Sequence, residues 1–468
     1  MNNLNNSSKF LYLRKKYKYL IYENYTITKN ENFLKLEFDF NIQNEIFFKP
    51  NIIIYRKNIY KSFFDAFDQS DELLNNIVFN IGLIELISYW KSVCTEQIII
   101  KPYKLSQNQI LWWKKIYFNG LGEFFYLNNI KTNFNDFVQI KSISNNKTKA
   151  FNIDLKNLFI IPVGGGKDSV VTLELLSGIK NNVPLIINPR QASLGCVNKA
   201  GFDNDSFIEI KRNLDPELLK LNSKGFLNGH TPFSALLAFV SVLSAYISGI
   251  KNIALSNESS ANEPTVPDSE INHQYSKSFE FESDFRNYIK KYISPDFNYF
   301  SFLRPLSELQ IAKLFSGFEK YFPVFKSCNV GSKTDEWCCN CPKCLFTFII
   351  LSPFLSTEQL FKIFKDNLFE KKSLLFIFNQ LIGIEKVKPF ECIGTVQEVN
   401  LALCMTIKKL DNNNLPYLLS YYKGTENFKK YQNQNPESIL KNYNSDNFLL
   451  QKLENILKDK LLDKHSEL

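Results

Sequence analysis

Apolar positions along this chain follow two different periods, and the changes between them place its elements. Residues 45–55, EIFFKPNIIIY, form a strand-like run, whereas 72–93, ELLNNIVFNIGLIELISYWKSV, carries apolar residues at helical spacing. A polar break, SISNNKTKA at 142–150, interrupts the pattern. Beyond it, 158–163 is a short apolar run of the kind a buried parallel strand needs, and Val170, Val171, Leu173, Leu175 and Leu176 begin a helix. The run at 183–188 reads as the next strand. Residues 231–250 are uncharged and long enough to cross a bilayer. Yet Ser234, Ser241 and Ser248 recur at intervals of seven, with Pro232 opening the run and Gly249 closing it, which predicts a helix buried inside an α/β domain. It leads into a further strand at 252–256, and this alternation is that of a doubly wound, mostly parallel sheet. From 356 onward the pattern is helical, ending in a Lys-rich amphipathic tail. No internal repeat is present.

Between the strand at 158–163 and its helix lies Gly164-Gly165-Gly166-Lys167-Asp168-Ser169. Glycines allow close approach of backbone to an anion, and the free N–H groups of a helix start favour negative charge. A Walker loop is excluded, because Ile161 stands where its first glycine belongs and Asp168 where its Ser or Thr belongs. The dinucleotide fingerprint has Ser169 in place of its third glycine and no acidic residue at the end of the next strand. The pattern resembles the PP-loop of ATP pyrophosphatases, Ser-Gly-Gly-x-Asp-Ser, with Gly164 replacing the first serine. That loss of a hydroxyl leaves the triphosphate to backbone N–H groups, Lys167 and Ser169. The resemblance implies an α/β fold of adenine nucleotide alpha hydrolase-like type. The polar break and the changes of pattern set off an N-terminal α+β domain at 1–148. The ATP-binding domain and its cysteine cluster would span 149–355, and a helical region 356–468.

The chain has 468 residues and a net charge of +9, with only six arginines among its 56 basic residues and 47 acidic ones spread among them. This distribution predicts a solvated lysine surface rather than a nucleic-acid groove. The basic cluster LRKKYK at 13–18 lacks the apolar stretch and cleavage site of a signal peptide, so a cytoplasmic location and no membrane span are expected. Five of nine cysteines lie between 328 and 344. Cys328, Cys338, Cys341 and Cys344 have the spacing Cys-x9-Cys-x2-Cys-x2-Cys, which can close a tetrahedral structural Zn²⁺ site; the alternatives are reduced buried thiols or a free acid/base thiol such as Cys339. The same spacing resembles the zinc site of 7-cyano-7-deazaguanine synthases, which are also PP-loop enzymes.

Six blocks together resemble the MurL family of UDP-N-acetylmuramoyl-L-alanyl-L-glutamate epimerases. They are the glycine loop, GLGEFFYLNN (120–129), LNGHTPFSALLAF (227–239), ALSNESSANEPTVPDSEINHQYSKSFEFE (254–282), WCCNCPKCLFTF (337–348) and KPFECIGTVQE (388–398). The resemblance covers about 80 to 400. It implies ATP-dependent inversion of the terminal glutamate of a UDP-linked muramoyl dipeptide in peptidoglycan synthesis, with release of AMP and diphosphate and with Mg²⁺ as counter-ion.

The chemistry explains the need for ATP. A carboxylate beside the α-carbon opposes removal of the α-proton, and adenylation replaces it with an acyl group that can delocalise the carbanion. Glu258 and Glu263 would sit on a loop at a strand's C-terminal end, where open α/β sheets bind ligands. His230 and His273 are two of only three histidines and fall inside the blocks. Cys392 is a candidate thiol base or a small buried hydrophobe. Arg190 and Arg304 are candidate anion ligands or salt-bridge partners. Two other readings of the loop are a PP-loop amidotransferase or tRNA-modifying enzyme, and a non-catalytic nucleotide sensor.

Overall fold

The computed structural model describes residues 4–57, 65, 68, 70–179, 182–267, 269, 271–410 and 414–462. Among these, eleven strands join in one sheet: β1 (Tyr19–Lys29), β2 (Phe33–Ile42), β3 (Ile46–Phe48), β4 (Asn51–Tyr55), β5 (Gln97–Ile100), β6 (Gln139–Ser142), β7 (Lys156–Pro162), β8 (Asn182–Ile187), β9 (Ile208–Asn213), β10 (Ile250–Leu255) and β11 (Asn298–Ser301). Their spatial order is β11-β10-β7-β8-β9-β4-β2-β1-β5-β6, with β3 on β2. From β11 to β9 every pairing is parallel. β8 is buried along almost its whole length, as expected of a parallel strand covered on both faces. In the antiparallel part β2 alternates instead, with Leu34, Leu36, Phe38 and Phe40 buried between Lys35, Glu37 and Asp39.

Helices cover both faces. One core gathers apolar residues of the helices Glu72–Trp90, Phe233–Ser248 and Phe279–Tyr292; the other gathers those of Lys167–Leu176, Glu308–Ser316, Pro342–Leu351 and Val396–Lys409. β7 feeds both, Ile160 facing the first core and Phe159 and Ile161 the second. The first core also mixes residues from either side of position 148, such as Leu34 and Ile77 with Val183 and Phe239. The segment 1–148 therefore shares both sheet and core with the strands that follow. In the sheet the two are joined at one seam, where β4 pairs antiparallel with β9, Ile52 lying opposite Arg212; in the core they are joined by the helix Glu72–Trp90 against the helix Phe233–Ser248.

The uncharged run at 231–250 is the buried helix Phe233–Ser248, stopped by Gly249 in the left-handed conformation at φ 65°. Ser248 spends its hydroxyl on the Ser244 carbonyl of the preceding turn. A different helix, Glu72–Trp90, is long and apolar enough to cross a membrane, but 94% of that window is buried within the protein. It packs on Phe233–Ser248 and β1.

Candidate active site

β7 and β10 are neighbours, yet the chain leaves β7 toward β8 and β9 on one side and β10 toward β11 on the other. Such a reversal of strand order opens a crevice beyond the carboxyl ends of the strands. The glycine loop leaves β7 into it. Gly166 caps the helix Lys167–Leu176 without any side-chain bond, so the first-turn N–H groups remain available. Gly165 adopts φ 91°, and a Cβ there would lie 2.7 Å from the Ser193 nitrogen. Ser169 Oγ donates to the Gly166 carbonyl at 3.0 Å, and the Lys326 N–H donates to the Gly165 carbonyl at 2.8 Å. Arg190 starts the helix Gln191–Lys199 against which Gly165 packs; its side chain is exposed and forms no ion pair among the described residues.

Lys167 turns inward from the loop, buried, and pairs with Asp168 and Glu308. Burial works against its charge, but the two carboxylates hold it above the usual lysine range. Burial pushes the Glu308 carboxyl up to about 8; it also works to raise Asp168, but Lys167, Lys343 and Lys277 together hold that carboxyl below its ordinary value. Glu258, on the loop after β10, completes a trio: one oxygen from each of Asp168, Glu258 and Glu308 lies within 4.8 Å of the others. Glu258 is 2% exposed, and its carboxylate makes no hydrogen bond or ion pair among the described residues.

A second cluster stands beside the first. His273 Nδ1 lies 2.5 Å from Glu123 Oε2, and His230 Nδ1 lies 3.6 Å from the same oxygen, with the two rings 4.4 Å apart. Burial, then the neighbouring His273, press His230 down to about 4. Burial also disfavours charge on His273, but hydrogen bonds to Cys392 and Glu123 overcome it and raise the ring to about 9. At Cys392 burial favours the thiol, yet Lys277, the His273 hydrogen bond and Lys343 bring it down to about 5. The pair is therefore a thiolate beside an imidazolium at neutral pH. Lys277 also interacts with Glu258 and Asp168, and Lys343 with Asp168 and Glu308, so the two clusters form one continuous site.

Two sequence candidates stand elsewhere. Glu263 pairs with Lys388, whose Nζ also donates to the Gly394 carbonyl at 3.4 Å, and so braces the loop that carries Cys392. Arg304 is no anion ligand: it is fully buried, ion-paired with Glu282 at 2.9 Å, and donates to the carbonyls of Glu258 and Lys277 at 2.7 and 2.5 Å.

The sulfurs of Cys328, Cys338, Cys341 and Cys344 lie within 4.8 Å of one another, with Cys328–Cys341 at 3.9 Å, Cys338–Cys344 at 3.7 Å and Cys341–Cys344 at 3.5 Å. Tetrahedral zinc with Zn–S bonds of about 2.3 Å requires sulfurs about 3.8 Å apart, so the donor set fits. Cys339 faces away, its thiol on the Phe364 carbonyl at 3.2 Å.

The MurL N-terminal domain matches residues 12–302, and the MurL C-terminal domain matches 324–435. The chain belongs to the MurL family. Among MurL relatives, a UDP-N-acetyl-alpha-D-muramoyl-L-alanyl-L-glutamate epimerase of Xanthomonas oryzae pv. oryzae is 31% identical, over 74% of this chain and 82% of its own. Enzymes of the same description from a Micromonospora strain and from Salinispora tropica are each 32% identical over 72% of this chain, covering 76% and 74% of theirs. No solved structure matches.

Four residues of this MurL site escaped the sequence reading: Glu123, Lys277, Glu308 and Lys343. Three stand inside the blocks GLGEFFYLNN, ALSNESSANEPTVPDSEINHQYSKSFEFE and WCCNCPKCLFTF. Glu308 follows β11 on the same sheet edge as Glu258, so the rule that singled out Glu258 extends to it.

Proposed function

We propose that this protein inverts the terminal L-glutamate of UDP-N-acetylmuramoyl-L-alanyl-L-glutamate to the D form through an acyl-adenylate, releasing AMP and diphosphate. The observation that carries this reading is the adjacency in one crevice of an anion-binding loop and the Cys392–His273 pair, tied together by Lys343, which donates to the Cys392 carbonyl, and by Arg304, which donates to the carbonyls of Glu258 and Lys277. The glycine loop and the first turn of Lys167–Leu176 hold the β- and γ-phosphates, with Arg190 free to meet the nucleotide. The glutamate α-carboxylate attacks the α-phosphorus and expels diphosphate. The α-proton of the resulting acyl group is far more acidic than that of a carboxylate. The substrate would displace the Cys392–His273 hydrogen bond and lodge its α-carbon between the two, so that the thiolate removes the proton from one face and the imidazolium returns one to the other. Glu123 keeps the His273 ring oriented and charged, and water then cleaves the adenylate.

Asp168, Glu258 and Glu308 are proposed as the residues that hold Mg²⁺. Their oxygens converge within 4.8 Å, and a divalent cation would offset the mutual repulsion of three carboxylates so close together. The bound ion would offset charge on the phosphates. Structural Zn²⁺ is proposed at Cys328, Cys338, Cys341 and Cys344 on the sulfur spacing above.

The test is turnover in deuterated water with ATP and Mg²⁺. Expected are AMP and diphosphate, with deuterium at the glutamate α-carbon and none at the alanine α-carbon. Release of ADP and orthophosphate, or failure to invert L-glutamate, would reject the reading.

A further inference from the structure

Residues 388–395 form no helix or strand before the helix Val396–Lys409, so their carbonyls depend on side chains for hydrogen bonds. Three successive ones are met in this way. Lys343 donates to the Cys392 carbonyl, Gln274 Nε2 to that of Ile393 at 3.1 Å, and Lys388 Nζ to that of Gly394 at 3.4 Å. Of the three donors only Gln274 comes from the segment that carries His273. It follows His273 in the chain as Ile393 follows Cys392, and its own N–H donates to Asn272 Oδ1 at 2.7 Å. One side chain therefore ties the two segments together a single residue away from each member of the Cys392–His273 pair.

The Gln274 amide has only one of its two ends engaged. The residue is 5% exposed, Nε2 is taken by Ile393, and Oε1 is buried with no hydrogen-bond partner among the described residues. A buried acceptor left unmet is unfavourable and uncommon, and what an amide oxygen lacks is a donor. The inference drawn from this rests on the inversion proposed above. Around the α-carbon of the terminal glutamate, the acyl group and the γ-carboxylate offer only acceptors. The nearest donor is the N–H of the alanyl–glutamyl bond, whose nitrogen is attached to the α-carbon itself. A substrate that parts Cys392 from His273 and lodges its α-carbon there brings this N–H to the junction that Gln274 spans. We propose that Gln274 is a substrate-binding residue whose Oε1 accepts the alanyl–glutamyl N–H. With the nitrogen held by Gln274 and the acyl end held beside the phosphate loop, two substituents of the α-carbon are anchored, and its C–H bond is aimed at the pair that exchanges the proton. Gln274 takes no part in the proton transfer.

The test crosses full-length wild type and Gln274→Met with two substrates, UDP-N-acetylmuramoyl-L-alanyl-L-glutamate and its depsipeptide analogue, in which an ester oxygen replaces the alanyl–glutamyl N–H. Two quantities are read: Kd by titration calorimetry, with the α,β-methylene analogue of ATP present so that adenylation is blocked, and α-deuterium uptake with ATP and Mg²⁺. Wild type should bind the ester about 10–100-fold more weakly than the amide, the effect of leaving a buried acceptor without its donor. Gln274→Met should bind the amide about 10–100-fold more weakly than wild type does, yet hold amide and ester alike within about threefold, and its α-deuterium uptake should fall with the binding. Gln274→Glu keeps an acceptor at this place and gives up the Ile393 bond, and should retain a preference for the amide. If Gln274 served only to tie the two segments, Gln274→Met would weaken both substrates equally and keep the wild-type preference; that result would overturn the proposal. Equal binding of amide and ester by the wild type would overturn it without recourse to any variant. Absence of α-deuterium uptake from the amide in the wild type would overturn the inversion reading and this contact with it.

Discussion

Cys392 and His273 are shifted in opposite directions, to about 5 and about 9, and the signs define a pH window. On the proposed roles, the base is lost below about 5 as the thiolate is protonated, and the acid is lost above about 9 as the imidazolium is deprotonated. Inversion should therefore follow a bell-shaped profile with limbs near those values, measurable as kcat/KM for α-deuterium uptake. Glu123→Gln removes one of the contacts that raise His273 and should move the alkaline limb down while the acid limb changes less; an unmoved alkaline limb would separate Glu123 from the ring's charge. Cys392→Ala should lower inversion by about 10²–10⁴-fold with ATP–diphosphate exchange preserved. At this scale the sequence showed types but not company. His273, His230 and Cys392 could be singled out because they are rare, reactive side chains in recognisable blocks. Their gathering around Glu123 could not, because residues 123, 230, 273 and 392 meet only after the sheet has placed their loops. Glu and Lys are so common in this chain that Glu308 and Lys277 carry no signal without a position.

The glycine loop and the cysteine cluster, distant in sequence, touch through the Lys326 N–H on the Gly165 carbonyl, and a Cβ on Gly166 would lie 2.8 Å from Ser327 Oγ. Cys328 follows directly. With the proposed Zn²⁺ at this cluster, Cys341→Ser should release it, read by elemental analysis, and destabilise the protein by about 4 kcal/mol or more, the range of lost metal sites. It should also weaken nucleotide binding, measured by titration calorimetry. Metal-free wild type would remove the basis for this coupling. Elements were more legible than contacts. The strands expected at 158–163, 183–188 and 252–256 lie within two residues of β7, β8 and β10, because parallel strands buried on both faces are written as continuous apolar runs. β1 is harder to read, since Glu23, Asn24, Thr26 and Thr28 interrupt its apolar positions.

At the scale of the molecule the seam between β4 and β9 decides what can stand alone. A fragment starting at 149 would expose the β9 edge and uncover Val183, Leu185, Phe239 and Tyr288 of the shared core. Expressed by itself it should be insoluble or lack a cooperative thermal transition; a soluble fragment with a sharp melt would show that the shared core is dispensable. The polar break at 142–150 was visible in the sequence, but strand pairing between residues some 160 apart leaves no local trace. The same seam bears on synthesis. Tyr55 leaves the ribosome roughly 150 residues before Ile208, and at about 5–20 residues per second this amounts to about 8–30 s. Throughout that interval Ile52, Ile53 and Ile54 form an apolar strand with an open edge, the sort that recruits other nascent chains. Slowed translation between 56 and 213 should therefore lower the yield of soluble protein more than the same slowing after 213.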